Sequence, residues 1–235
     1  MIELCPTDRL FVLTGAGVSA ESGLPTFRGA GGVWRTHRAT DLATPEAFAR
    51  DPETVWQFYS WRREVHNTCQ PNAAHRALAE LERRMSGRMY LCTQNVDELH
   101  ERGGSQRVVH MHGQLFRSRC SRCDRGPFED RGVYQSLAEV PCCDCGAIIR
   151  PHVCWFGETP YFMDEILRAL ERATVFVTIG SSGVVEPAAS FAGIARHRGA
   201  RTYYLGPEEP ANAHAFDRCF EGTATELVPT LFQPS

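Results

Sequence analysis

The sequence predicts an α/β fold, a doubly wound parallel sheet carrying a smaller zinc-binding insertion, on three observations. Short apolar runs alternate with helical patterns along the chain, and strands separated by helices pair in parallel. The first run, "RLFVLTGAG", ends in glycines, as a buried strand does when it turns into a phosphate-binding loop. Between about residues 116 and 149 the periodicity fades and two C-x2-C pairs stand there, Cys120 with Cys123 and Cys142 with Cys145. The expected organisation is a discontinuous Rossmann-like domain, residues 1–115 and 150–235, with a helical segment near 35–70 and a zinc-binding small domain at 116–149.

Each element follows from local chemistry. "RLFVLTGAG" is the first strand. Asp51 and Pro52 supply an N-cap and a first helical residue for a helix through about His66, because a short acceptor side chain satisfies free amides and proline needs none. "PNAAHRALAELERRMSG" repeats the device, with Asn72 as cap and Gly87 as stop. "RMYLCTQN" and "RVVHMHG" read as strands. After the insertion come a helix near 161–172, a strand "ATVFVTIGSSG", a helix near 187–198, a strand "ARTYYLG" and a closing helix near 225–232.

Composition narrows the function. With 235 residues and 43% hydrophobic content, the chain can bury a sizeable core. A net charge of −3 offers no electrostatic case for nucleic acid or an anionic membrane. No apolar run reaches the roughly 18–20 residues of a membrane span, and the N-terminus has no leader pattern, so a cytoplasmic protein is expected. All 25 basic residues are arginine, so the chain presents no lysine side chain to acylate. Of the ten cysteines, the four in C-x2-C pairs read in such a protein as zinc ligands rather than disulfides, and the other six show no pairing logic. Four thiolates fill a tetrahedral zinc shell, so the site is structural. The expected ligands are Cys120, Cys123, Cys142 and Cys145; Cys143 could replace Cys142 only by shortening the second knuckle to C-x-C.

In "TGAGVSAESGLPTFRGAGGVW", Gly15 and Gly17 would let the backbone approach a pyrophosphate, with Ser19, Glu21 and Ser22 at the start of a helix. A hydride-transferring Rossmann enzyme should show an acidic residue about 20 positions on, after a second strand. "RTHRATDL" stands there instead, with no strand before it. The loop is compatible with NAD binding, though G-x-G after a strand also occurs in ordinary tight turns; hydride transfer is not indicated.

Taken together, "GAGVSAESGLPTFRG", "TQNVDELH", "HGQLF", the cysteine pairs, "RPHVCWFGE", "GSSGVVEPAA" and the late "GTA" resemble the sirtuin family of NAD-dependent protein lysine deacylases across nearly the whole chain. The branch that removes succinyl and malonyl groups is the most similar. The resemblance implies NAD consumed as a co-substrate, with nicotinamide, O-acyl-ADP-ribose and free lysine as products. It implies His112 as the catalytic base, suited by an imidazole value near 6.5, with His110 a structural neighbour. Gln94 would contact the nicotinamide ribose, Asn95 and Asp97 the carboxamide, and Val96 would give backbone contacts. Phe27 and the catalytic Arg28 would order the covering loop. Ala16 and Trp34 are further cofactor neighbours, with Gly180, Ser181, Ser182 and Ala224 on the phosphate and adenosine side. Tyr204 falls where the family usually has an asparagine for the adenine ribose.

The resemblance also implies that an acylated peptide adds as a β-strand between "WFGE" and "SGVVEP". Val153, Phe156, Gly157 and Glu158 would line one wall, Val184 and Glu186 the other, with Glu186 where relatives often carry an aromatic residue. Tyr59 and Arg62 lie three apart on a helix, so they project from one face, and a phenol with a guanidinium suits the far carboxylate of a succinyl or malonyl chain. Thr26, where many deacetylases carry aspartate, and the small Ala39 and Ala43 agree with a roomier pocket. Two rival readings are protein mono-ADP-ribosylation or NAD hydrolysis on the same fold, and a zinc-stabilised NAD-sensing module without turnover. The oligomeric state is not legible.

Overall fold

The computed structural model describes residues 1–25, 33–34 and 37–232. From the N-terminus, β1 (Leu10–Thr14) leads into a single helical turn, α1 (Gly17–Ala20). A small hairpin, β2 (Val33–Trp34) and β3 (His37–Arg38), precedes α2 (Ala39–Leu42), α3 (Pro45–Arg50), α4 (Pro52–Thr68) and α5 (Ala73–Met85). Then come β4 (Met89–Thr93), α6 (Leu99–Arg102) and β5 (Val108–His110), followed by β6 (Gly113–Cys120), β7 (Phe128–Glu129) and β8 (Ile149–Val153). The chain continues through α7 (Met163–Arg172), β9 (Val175–Ile179), α8 (Phe191–His197), β10 (Arg201–Gly206), β11 (Arg218–Glu221) and α9 (Ala224–Leu231).

Six strands pair in parallel in the order β5-β4-β1-β9-β10-β11. That is the 3-2-1-4-5-6 order of a dinucleotide-binding sheet, whose ligand crevice opens where the order reverses, here between the carboxyl ends of β1 and β9. Every residue of β1 and β9 is buried, because helices cover both faces. Alternation along β1 sends Leu10 and Val12 into one core with Leu78, Val177 and Val228. Phe11 and Leu13 enter the other with Phe176, Ile166 and Phe191. Each such side chain contributes about 1.5–3 kcal/mol of burial.

The predicted caps hold. Asp51 Oδ1 accepts the Thr54 N–H at 3.0 Å, and the Asn72 side chain accepts from Ala74 and His75. His75 returns the bond, its Nδ1 accepting the Asn72 N–H at 3.2 Å, where a glutamate is usual. Among the described residues no helix is long and apolar enough to cross a membrane.

The antiparallel sheet β7-β6-β8 reaches beyond 116–149 on both sides, because pairing of β6 with β8 starts at Gly113 and Val153. A third core joins it to α4 through Trp56, Tyr59, Phe116, Ile149 and Trp155. The fully buried Arg63 fixes that junction: its Nε donates to the Leu115 carbonyl at 3.0 Å and its Nη1 meets Asp130 at 3.2 Å.

Candidate functional site

The crevice is lined first by two loops in contact. Gly15 N–H donates to the Ile179 carbonyl and Gly17 N–H to the Gly180 carbonyl, both at 2.9 Å. A Cβ on Gly15 would stand 2.8 Å from Gly180 O, and one on Gly17 2.7 Å from Gly180 Cα. These glycines, with Ala16 between them, are therefore used in packing the loop after β1 against the loop after β9. The four-residue α1 carries Ser19, which is 1% exposed, towards the loop after β4. Glu21 Oε2 accepts the Thr225 N–H at 3.1 Å and so caps the first turn of α9, next to the buried Ala224. Ser22 Oγ accepts from Asn72.

Ser19 joins the two loops at the floor of the crevice. Its hydroxyl donates to Asp97 Oδ2 at 3.1 Å and accepts from Asn95 Nδ2 at 3.2 Å; His75 Nε2 lies 3.3 Å away. Asn95 Nδ2 also donates to the Gly15 carbonyl at 3.1 Å. Asp97 Oδ1 accepts the Leu99 N–H at 3.0 Å. Burial pushes the Asp97 carboxyl up, against these hydrogen bonds and the charges of His110 and Arg62. Gln94 Nε2 donates to Ser181 Oγ at 2.8 Å, which ties the loop to the β9 side, and Val96 is buried in the third core.

Two histidines hang from successive carbonyls of this loop. His112 Nδ1 bonds the Gln94 carbonyl at 3.1 Å and His110 Nδ1 the Asn95 carbonyl at 3.0 Å. A carbonyl can only accept, so each Nδ1 carries the proton. His112 is half-buried in the two-residue turn between β5 and β6 rather than on a strand, and its Nε2 takes no hydrogen bond among the described residues. Burial lowers its pKa, partly countered by the Gln94 bond. Its own carbonyl accepts the Cys154 N–H at 2.8 Å.

Beside this turn, Tyr59 is fully buried and accepts from Trp155 Nε1 at 2.9 Å. The half-buried Arg62 guanidinium lies 5.9 Å from the Tyr59 ring centre and 5.8 Å from that of Phe58. The helix thus brings Tyr59 and Arg62 to one spot. Ala43 is buried and its carbonyl accepts the Phe156 N–H at 2.9 Å. Glu158 is committed to Arg150 at 2.6 Å and to the Trp155 N–H at 2.8 Å, which braces Gly157 and its neighbours and leaves Phe156 45% exposed. Val153 is buried, Val184 is 48% exposed, and Glu186 bonds Ser190 at 2.8 Å.

In the loop after β9, Gly180 takes a left-handed φ of +62°, and Ser182 accepts the Ala211 N–H through its carbonyl. Tyr204 is 4% exposed with its ring 5.6 Å from that of Phe216, which is core packing. Thr26, Phe27 and Arg28 lie outside the described residues, as do the side chains of Trp34 and Ala39.

The cysteine cluster corrects one expectation. The sulfurs of Cys120, Cys123, Cys143 and Cys145 lie within 4.8 Å of one another; Cys142 is exposed and outside the group. Cys142 forms a bridge with Ile148, while the chain turns back immediately after it through Gly146 N–H to the Cys143 carbonyl at 2.8 Å. Adjacent side chains of extended backbone point to opposite faces, so that turn faces Cys143 and Cys145 inward. The set fits zinc: tetrahedral Zn–S bonds of about 2.3 Å put sulfurs roughly 3.8 Å apart, and the Cys120–Cys145 and Cys123–Cys143 pairs are at 3.5 and 3.6 Å. Backbone N–H groups of Cys123 and Arg122 hold the Cys120 thiol below its ordinary value. The cluster sits on the small sheet, and its role there is to hold the fold.

The Sir2 family model matches residues 15–187. The chain belongs to the Sir2 family. An "NAD-dependent protein deacylase" of Caulobacter vibrioides is 51% identical over 229 residues, covering 94% of each chain. One from Vibrio parahaemolyticus is 47% identical, covering 96% of this chain and 94% of that one. A solved Sir2 homologue–NAD complex superposes with a TM-score of 0.88 at 45% identity, covering 96% of this chain and 89% of that one. A Sir2 complex with p53 peptide and NAD+ gives 0.82 at 30% identity, covering 94% and 91%.

Sequence reasoning missed several residues of this Sir2 site. Trp155 orients Tyr59, but nothing in its spacing pairs it with a residue 96 positions earlier. His75 reads as part of a helix start and also reaches Ser19. Glu101, on the four-residue α6, meets His110, and so short a helix leaves no periodic trace.

Proposed function

We propose that this Sir2 protein is an NAD-dependent protein lysine deacylase that takes succinyl and malonyl groups ahead of acetyl. The observation that carries the reading is the state of His112. Its Nδ1–H is engaged by the carbonyl of Gln94, the neighbour of Asn95 in the chain, so the neutral ring presents an unprotonated Nε2. Asn95 has spent its Nδ2 on Gly15 and Ser19, which leaves Oδ1 to accept from a nicotinamide carboxamide.

In this reading the acyl oxygen of the substrate attacks the ribose C1′ as the bond to nicotinamide breaks. A ribose hydroxyl then gives its proton to His112 Nε2 and attacks the imidate carbon, and water releases lysine and O-acyl-ADP-ribose. The deacylase names of the relatives and their NAD and peptide complexes support it. The exposed Phe156 and Val184 suit two walls of a groove for an extended peptide. Zinc, held by the four clustered cysteines, would supply structure only.

Acyl preference rests on Tyr59 and Arg62. Trp155 donates to the Tyr59 oxygen, which leaves the phenol hydrogen for an acceptor. The guanidinium beside it stays charged despite burial, so a carboxylate gains a charge-assisted pair that an acetyl group cannot use. The test is mass spectrometry of products from succinyl-, malonyl- and acetyl-lysine peptides, each with and without NAD. O-acyl-ADP-ribose should form fastest from the acidic acyl chains. Nicotinamide release that needs no acylated peptide would make the protein an NAD hydrolase or ADP-ribosyltransferase instead.

A further inference from the structure

His110 has no part in the reaction just described, yet both of its ring nitrogens are engaged. Nδ1 bonds the Asn95 carbonyl at 3.0 Å and Nε2 bonds Glu101 Oε1 at 2.7 Å. The ring is 4% exposed. Both partners are acceptors, a carbonyl and a carboxylate, so both nitrogens donate and the ring is an imidazolium. This is an uncommon investment, a buried cation whose counter-ion, Glu101, has a side chain 38% exposed at the mouth of α6. What it holds is the backbone of Asn95, the residue whose side chain reaches Gly15 and Ser19 on the facing loop.

We propose that His110 is a positioning residue for NAD cleavage, a cationic clamp between Glu101 and the Asn95 carbonyl that sets the Asn95–Asp97 segment where nicotinamide is received. The proposal rests on the reading of that segment given above. The clamp acts in two ways. It fixes the Asn95 peptide plane, and with it the direction of Asn95 Oδ1. It also places positive charge near the buried Asp97 carboxyl, where it favours the ionised form against the pull of burial. His112 hangs from the neighbouring carbonyl in the same manner, so a shift of the loop at Asn95 displaces the base as well.

The titratable and charged groups that face His110 are Glu101 and His100 on α6, Asp97 on the loop and, beyond Asp97, Arg62 of α4. Burial pulls the His110 ring down, but the Glu101 hydrogen bond and charge, with the Asn95 carbonyl and Asp97, outweigh it and raise the net value. His100 stays neutral, with its own Nε2 on Thr14 Oγ1 at 2.9 Å.

The experiment is Glu101→Gln in the full chain, with KM for NAD, the inhibition constant of nicotinamide and Tm measured between pH 5.5 and 8.5. Glutamine keeps the length of the contact and removes the charge. The buried ring then loses its proton at or below the ordinary histidine value near 6.5. At pH 8 KM for NAD and the nicotinamide constant should rise roughly tenfold, the loss of one charge-assisted hydrogen bond. Both should return towards the parent values near pH 5.5, where the ring is protonated again, and Tm should fall by less than about 4 °C. His110→Gln should weaken both constants at every pH with no recovery in acid. The proposal is overturned if Glu101→Gln matches the parent within about twofold throughout, or if its constants rise equally at all pH values. A parent that consumes no NAD with any acylated peptide would instead refute the deacylase reading, independently of the clamp.

Discussion

Around Asn95, buried side chains from positions as far apart as Ser19 and His110 hold one another through hydrogen bonds of 3.0–3.2 Å. Around Cys120, four sulfurs from one short insertion lie within 4.8 Å of one another, two pairs of them at 3.5 and 3.6 Å, with Cys123 open to solvent. Among the described residues the first region is held by its own hydrogen bonds before any ligand arrives, as preorganised electrostatic sites require, with His112 Nε2 and Asn95 Oδ1 left to receive one. The second is complete only with a cation, because adjacent thiolates repel unless a metal neutralises them. The contrast separates positions where substitution should alter turnover from those where it should alter folding.

The sharpest break would come at His112. His112→Ala should cut deacylation about 10²- to 10⁴-fold, the span of a lost general base, with Tm near that of the parent; a full-rate variant would dissolve the assignment of the first region. Next in size is the cysteine pair. Cys143→Ser should abolish stoichiometric zinc and lower Tm by roughly 5–15 °C, taking several kcal/mol at about 2–4 °C each. Cys142→Ser should retain zinc and Tm, and metal analysis with calorimetry on the two proteins separates them; the reverse pattern restores the C-x2-C site.

A smaller effect lies at the acyl end. Arg62→Met should slow desuccinylation at least about tenfold and spare deacetylation, read from steady-state rates on matched peptides; equal losses would remove selectivity from Arg62. The smallest is a displacement of the pH profile. His112 must be neutral to accept a proton, and burial lowers its pKa. The acid limb of kcat/KM should therefore fall below about pH 6.5, with rate rising as pH increases through it. A limb above that value would show that burial does not dominate the His112 ring.

Much of the scaffold could be read from residues because its signals are local. The glycines after β1, the Asp51 and Asn72 caps and the alternation of strand with helix each lie within one element and its ends. His112 and the Asn95–Asp97 segment were legible through short motifs whose order matched a known family. The fourth ligand position was not, since Cys142 and Cys143 are neighbours and the choice depends on where the chain turns, at Gly146 and Ala147. Ser19 read as an anion neighbour at a helix start; its bonds to Asn95 and Asp97 were not legible, because those partners lie 76 and 78 positions away. His110 suggested simple packing because its partner Glu101 sits on another element, on a helix too brief to announce itself.

His112 occupies a joint. The chain leaves the parallel sheet at His110 and enters the antiparallel one at Gly113, with backbone hydrogen bonds to Thr93, Tyr161 and Cys154 bracing the passage. With His112 as the proposed base, the length of that joint is a working dimension of the enzyme. One inserted residue would swing the imidazole off its target while leaving every side chain of the machinery in place, so a homologue with a longer joint could preserve the motif and lose the reaction.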